Sequence, residues 1–377
     1  MIEVLILILA LIGALFAWVI TSAKRSVGYI FCNATISAWE ARLLPEARLM
    51  ELAEAPKVEN VLSALDETEY RPQLAGIEKG GMVDMIAVER ALRENLNARF
   101  SELLSMVPKE RKSTVVKVLE RVDLWNLKAL ITMIHEKVPP EQRLRELMPS
   151  PTMPRERLEM LASAENLDGL LEFLKGSELF DVISGALEDY RKRGLIALLS
   201  ALDIYYYTSL MRDVLAKRAQ RSILRAMLGH EIDSVNIKLI LRLKREGAAP
   251  EEIDRLLIRP SHELTEAMLK AMVIAEDIRS AVHMIHITTP GKTLIDALPG
   301  IEEQGIPAAE RALDEACLKL CRLFEFTQFF SIAPVISYIH LKENEVRNLR
   351  TIIRLKAEGV EPREIKEKIV RVPKIEL

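Results

Sequence analysis

One pattern of residues occurs three times, and it constrains this chain more than any other feature. Asp233-Ser-Val-Asn236-Ile-Lys238-Leu-Ile-Leu-Arg242-Leu-Lys244-Arg-Glu-Gly247 aligns with Glu345-Val-Arg-Asn348-Leu-Arg350-Thr-Ile-Ile-Arg354-Leu-Lys356-Ala-Glu-Gly359. Both run on into Pro-x-Glu-Ile, ending at Ile253 and Ile365. An earlier copy reads Asp123-Leu-Trp-Asn126-Leu-Lys128, and the three asparagines are 110 and 112 residues apart. A second pattern keeps nearly the same period. Leu49-x-x-Leu52-Ala53 followed by Val61-Leu62-x-x-Leu65 matches Leu158-x-x-Leu161-Ala162 followed by Leu170-Leu171-x-x-Leu174. A weaker match is Leu269-x-x-Met272-Val273 followed by Ala281-Val282-x-x-Ile285, the offsets being 109 and 111. Two independent signals with one period predict three units, 26–150, 151–260 and 261–377. Each reads as a pair of shorter helices, a longer helix, then the acidic-x-x-Asn helix. Such a unit cannot bury its apolar face alone, and three packed around a common axis would do so while leaving a central cavity.

The expected fold class is all-α. Strand signals are nearly absent, and helical periodicity is broken mainly by proline-rich punctuation at 137–140, 148–151, 259–261 and 289–291. Within the repeated motif, the leading Asp123, Asp233 or Glu345 suits a helix N-terminus, where a carboxylate satisfies free N–H groups and opposes the dipole. Asn126, Asn236 and Asn348 are poor helix formers. Their recurrence predicts buried amides bonded to neighbouring backbone. The cations that follow, Lys128, Lys238 and Arg350, project elsewhere. Arg242, Lys244, Arg354 and Lys356 extend the basic character, either as solvated side chains or as a surface facing a partner.

The chemistry of catalysis is missing. Thr289-Pro-Gly291-Lys292-Thr293 resembles the tail of a phosphate loop, but His286 stands where the loop needs its first glycine, and no strand precedes it. His283-x-x-His286 has no third ligand at a suitable spacing, and Cys317 and Cys321 read as small buried residues. Tyr205-Tyr206-Tyr207 points around a helix, so part of it belongs in the core. No cofactor, metal or small-molecule substrate is expected. A net charge of −3 carries no nucleic-acid signature.

The N-terminal segment 1–25 stands apart. Val4 to Ile20 contains no charge and no proline, and Lys24 and Arg25 follow it. As a helix it spans roughly 25 Å, close to the hydrocarbon thickness of a bilayer. The charge lies after the apolar run, unlike a cleaved signal. The segment reads as a retained transmembrane anchor with the bulk of the chain on the cytoplasmic side of the cell membrane.

Several further strings carry a family likeness: Tyr29-Ile-Phe-Cys-Asn33-Ala34, Ala41-Arg42-Leu43-Leu44, Val61-Leu62-x-x-Leu65-x-x-Thr68-x-Tyr70, the acidic-x-x-Asn helices, and Leu202-Asp203-x-x-x-Tyr207. With them the chain resembles the C subunits of archaeal-type (A-type) rotary ATP synthases, the counterparts of the d subunits of vacuolar-type ATPases. The resemblance implies a funnel-shaped, all-helical, pseudo-threefold protein without catalysis of its own. It would sit on the membrane rotor ring and receive the central stalk in its cavity. The apolar stretch from Met1 to Ala23 departs from the family pattern. If that stretch turns with the rotor, the unobstructed place for it is the opening of the ring. The competing expectation is a membrane-anchored helical-repeat scaffold with no rotary role.

Overall fold

The computed structural model describes residues 11–13, 15–16, 27–79, 82–216 and 221–373. Helical residues 11–13 and 15–16 precede α1, 27–40. The first unit continues through α2 (Glu46–Glu54), α3 (Val58–Leu65), α4 (Arg71–Leu74), the antiparallel pair β1 (Glu78–Lys79) and β2 (Met82–Val83), α5 (Met85–Met106), α6 (Lys109–His135) and α7 (Pro140–Glu146). Next come α8 (Arg155–Ala162), α9 (Leu167–Leu174), α10 (Glu178–Arg193), α11 (Leu195–Ala216), α12 (Arg221–Arg245) and α13 (Pro250–Arg255). The last set is α14 (Glu266–Ile274), α15 (Ile278–His283), α16 (Thr289–Gln304), α17 (Ile306–Thr327), α18 (Ala333–Ala357) and α19 (Pro362–Lys368). The fold is all-α, with β1–β2 a two-residue pairing inside a helical chain.

Helix lengths recur in order. α5, α11 and α17 each have 22 residues, and the helix after each has 27, 25 and 25. α10 and α16 have 16 residues each, and the first unit has α4 and the β1–β2 pair in that place. The repeated motif does not start its helix, contrary to expectation. Asp123, Asp233 and Glu345 lie in the middle of α6, α12 and α18. The reason is the apolar spacing upstream: Val115, Val118 and Leu119 on α6, like Leu224 and Leu228 on α12, already bury one helical face. The helix therefore runs through the motif, and the acid bonds to other segments instead of to its own N-terminus.

The ends of these helices are alike. Lys137, Gly247 and Gly359, each eleven residues after the asparagine, have φ of 57°, 75° and 75°. The next residue closes the end: Val138 N–H donates to Met133 O, Ala248 N–H to Leu243 O and Val360 N–H to Leu355 O, at 2.8, 3.0 and 2.9 Å. This is the left-handed Schellman termination, which favours glycine because it has no Cβ to collide.

The packing is cyclic. α6 packs on α11, α12 on α17, and α18 back on α5. The apolar cores follow the same rule. Leu127, Leu130, Ile131 and Ile134 of α6 share a cluster with Leu158, Leu161 and Leu170 of α8 and α9. Ile237, Ile240 and Leu241 of α12 meet Leu269, Met272 and Val282 of α14 and α15. Leu349, Ile352 and Ile353 of α18 meet Leu49, Leu52, Val61 and Leu65 of α2 and α3. Each core therefore joins a motif helix to a set of short helices, the first two across positions 150 and 260 and the third between α18 and the start of the chain.

The anchor expected over 4–20 lies largely outside the described residues. Among the described residues, no helix is long and apolar enough to cross a membrane.

Candidate functional site

The three asparagines make the same contact. Asn126 Nδ2 donates to Met148 O at 2.6 Å and its Oδ1 accepts from Met148 N at 2.8 Å. Asn236 does so with Ile258, at 2.9 and 2.8 Å, and Asn348 with Val370, at 2.8 and 3.0 Å. The partner is 22 residues ahead in every case, and each amide is at most 1% exposed. A bidentate amide fixes the segment after α7, α13 or α19 against the long helix, and its burial makes the two bonds costly to lose.

The cation two residues on reaches into the next unit. Lys128 Nζ donates to Asp203 of α11 at 2.7 Å, and Lys238 Nζ to Asp314 of α17 at 2.5 Å. Arg350 Nε closes the cycle on Glu89 of α5 at 2.7 Å. Asp203 and Asp314 are each the ninth residue of their helix, whereas the ninth residue of α5 is Arg93 and the acid sits one turn earlier. Arg93 is buried and donates to the carbonyls of Arg145 and Glu146, at 3.2 and 2.6 Å.

The leading acids also face forward. Asp123 accepts from Ser150 Oγ, ahead of α8, and burial raises its carboxyl to about 6 despite that bond. Asp233 accepts from the N–H groups of His262 and Glu263, at 2.8 and 2.7 Å, ahead of α14. Glu345 accepts from Leu44 N, ahead of α2, and from the hydroxyl of Tyr70 and the fully buried Lys342. A third set of contacts caps helix ends. Lys244 Nζ donates to the carbonyls of Val273 and Ala275 at the C-terminal end of α14, and Lys356 Nζ to those of Ala53 and Ala55 at the C-terminal end of α2. In the first unit Arg143, outside the aligned motif, serves the carbonyls of Ala162 and Ala164 past α8. Cations at helix C-termini satisfy orphan carbonyls and complement the dipole. Lys244 and Lys356 are therefore occupied within the chain. Arg242 meets Glu310 and Arg354 meets Glu89, each with over half of its side chain exposed.

Five residues before each asparagine stand Arg121, Glu231 and Glu343, and the fold brings the three together. Arg121 donates two bonds to Glu231, at 3.0 and 2.9 Å, and one to Glu343 at 3.0 Å. Burial opposes ionisation of Glu231, but Arg121 and His340 hold its carboxyl below the usual range. Burial and Arg121 keep His340 below its usual value, and its Nδ1 accepts from Arg121, which can only donate, at 3.3 Å. Tyr207 donates to Glu231 at 2.9 Å. Beside this cluster opens a cavity of about 550 Å³, lined from α5, α6, α11 and α18 and at Glu231 of α12. Trp125, Lys128, Arg347 and Arg350 stand in its wall. Sequence reasoning passed over Arg121, Glu231, Glu343 and Trp125. Arg121 is opposite in charge to the two glutamates, so the three do not look like a repeat, and only the register counted from the asparagine joins them.

The decoys find structural uses. Gly291 lies in the first turn of α16, where Thr288 Oγ1 accepts its N–H at 3.1 Å. A Cβ there would overlap the carbonyl oxygen of Ile285, so close packing requires this glycine. Tyr206 is buried and donates to Val118 O at 2.9 Å, while Tyr205 reaches Glu178 at 2.7 Å. Cys321 is buried, and Cys317 lies 3.3 Å from Ser234 Oγ. His286 Nδ1 lies 2.8 Å from the carbonyl of His283.

Comparison with known proteins bears on this arrangement. A family model described as ATP synthase (C/AC39) subunit matches residues 32–368. The C subunit of the A-type ATP synthase of Methanocaldococcus jannaschii is 28% identical over 355 residues, covering 94% of this chain and 89% of that protein. Its counterpart from Thermococcus onnurineus is 30% identical, covering 94% and 95%. The one from Methanosphaera stadtmanae is 27% identical over 376 residues, 98% of this chain.

Proposed function

Since the chain belongs to the family of ATP synthase (C/AC39) subunits, non-catalytic parts of a rotary ATP synthase, we propose that it is the central-rotor coupling piece of an A-type enzyme. In this reading it sits on the membrane rotor ring and holds the end of the central stalk. It passes torque between them for proton- or sodium-coupled ATP synthesis, while ATP chemistry belongs to other subunits. The observation that carries the reading is cyclic closure. Lys128, Lys238 and Arg350 each reach the next unit, the last returning to the first, and Arg143, Lys244 and Lys356 do the same. A body closed on itself in three units fits a funnel with pseudo-threefold symmetry, and it transmits torque without opening like a chain. The scaffold reading predicts an open solenoid, whose last unit would have no first unit to grip.

The segment Val4 to Ile20 enters this proposal as a membrane anchor within the ring opening, with the bulk of the chain on the cytoplasmic side. In support, Val27, Ile30 and Phe31 at the start of α1 and Phe326 and Phe330 near the end of α17 are exposed apolar residues. Purification from membranes tests the whole reading. Ring and stalk subunits are expected to co-purify, and removal of this chain should uncouple ion flow from ATP turnover. Recovery of the chain with neither, or saturable micromolar ATP binding by the purified chain, would overturn it.

A further inference from the structure

A second cavity, of about 620 Å³, opens where the first and last parts of the described chain meet. It is lined from the end of α1, the start of α2, α17, α18 and residues 369–373. The walls are mainly apolar, Leu49, Phe326, Leu341 and Val370 among them. Four charged side chains stand in the lining. Glu46 and Arg371 face each other at 3.4 Å and offset one another. The other two, Glu40 and Arg322, belong to a set that does not balance. Arg322 lies 3.5 Å from Glu40 and donates to both oxygens of Glu325, at 3.4 and 3.2 Å. Ser337 Oγ donates to Glu325 as well, at 3.1 Å. The Glu40 side chain is only 7% exposed, and no donor among the described residues reaches its Oε1.

Two buried carboxyls thus share one guanidinium, and a buried charge without a counter-charge is costly. Burial first, then Glu325, push the Glu40 carboxyl up to about 9, so a proton makes up the difference. Tyr338 of α18 also lies within reach of the Glu40 charge, and burial pushes its hydroxyl well above the ordinary range. An ammonium can take the place of the proton on Glu40. An anion cannot, and a neutral polar group leaves the charge count as it is. The volume suits a small molecule, whose sites span roughly 300–1,000 Å³ and are apolar with a few placed polar groups. We propose that this cavity binds an aliphatic primary amine, its body against Phe326 and Leu341 and its ammonium on Glu40. Glu40 gives up its proton to solvent as the ammonium N–H donates to Oε1. The buried set stays neutral, now with two acids and two cations. Such an occupant joins α1 and α2 to α17 and α18. The site goes beyond the rotary reading and does not depend on it.

The experiment uses the full chain, with octylamine, octanol and octanoate as probes. Titration calorimetry in two buffers of different ionisation enthalpy measures both affinity and the protons released. At about pH 8 octylamine should bind about tenfold or more tighter than octanol, since its hydrogen bond to Glu40 is charge-assisted. Octanoate should bind most weakly. Between about pH 6 and 8 the octylamine affinity should rise about tenfold per pH unit, with one proton released per molecule bound, because the amine stays charged while Glu40 must ionise. Glu40→Gln keeps the neutral form of the side chain. It should abolish the proton release and bring octylamine to the level of octanol. Phe326 is half-exposed, so Phe326→Ala should fold normally. It should weaken octylamine and octanol by a like factor and leave the proton release in place. Failure of octylamine to bind the wild-type chain would overturn the site. Equal affinity for all three probes, or an amine preference that survives Glu40→Gln, would do the same. None of these outcomes bears on the rotary reading, since neither ring nor stalk takes part.

Discussion

At the residue scale, one side chain placed three times sets the joints of the molecule. Asn236 is fully buried and satisfies both the N–H and the carbonyl of Ile258. Asn236→Ala should lower unfolding free energy by about 1–3 kcal/mol, because two buried backbone groups lose their partners. Asn126→Ala and Asn348→Ala should fall in the same range, and denaturant midpoints measure all three. Lys137 is the exception among the helix ends. It holds φ of 57° where the other two copies have glycine, and a side chain in that region costs about 1–2 kcal/mol. Part of this gain is offset by the greater freedom of glycine in the unfolded chain. Lys137→Gly should therefore raise stability by roughly 0.5–1 kcal/mol, read as a small rise in Tm; a fall would show that the Lys137 stem packs usefully.

At the element scale, α1 is tied to the C-terminal part of the chain at its middle and at its C-terminal end. Asn33 Nδ2 donates to Ser331 O at 3.0 Å, and Glu40 lies 3.5 Å from Arg322, beside Glu325. Burial, then the hydrogen bond and charge of Glu325, push the Glu40 carboxyl from its ordinary 4.5 to about 9. Glu40 thus stays protonated in the fold over a window in which the unfolded chain has released the proton. Its contribution to stability is complete below about pH 4.5 and is lost as pH rises to about 9. Glu40→Gln removes this loss. Melting curves across the window should show the variant above the wild type at about pH 8, the gap closing toward pH 4.5. A gap independent of pH would contradict the raised Glu40 carboxyl. The register of the short helices and the asparagine helix was legible in the sequence, because apolar spacing and proline punctuation are local signals. The placement of the motif in mid-helix was not. An acid reads as a helix start only when its partner is assumed to be its own backbone, and here the partners lie 27–30 residues ahead or on the first unit.

At the scale of the whole molecule, the repeat in sequence and the apolar body in space are out of step. The cluster around Leu130 and Leu170 falls entirely within α6 to α11. A fragment 151–260 cuts through two such clusters. It should be largely unfolded by circular dichroism, because its short helices and its long helix each lose the apolar face they need. A fragment 109–216 keeps one cluster whole and should show more helix and a cooperative melt. The reverse order would mean that the units fold by themselves. The intact chain should melt in one main transition, since the ion pairs Lys128–Asp203, Lys238–Asp314 and Arg350–Glu89 couple every unit to the next.

The sequence by itself determined the helical class and the three buried asparagines, because these depend on spacing along the chain. Tertiary structure alone decided which unit each side chain serves. Lys244 and Lys356, read as basic residues with a partner in prospect, cap helices of the following unit. Arg121, opposite in charge to Glu231 and Glu343 and about 110 residues from the next by the repeat, meets both in one bonded cluster. Charge complementarity across a closed ring requires unlike residues at like positions. A comparison of the copies for likeness passes over such a set, and only the folded chain, with its last unit returned to its first, brings it together.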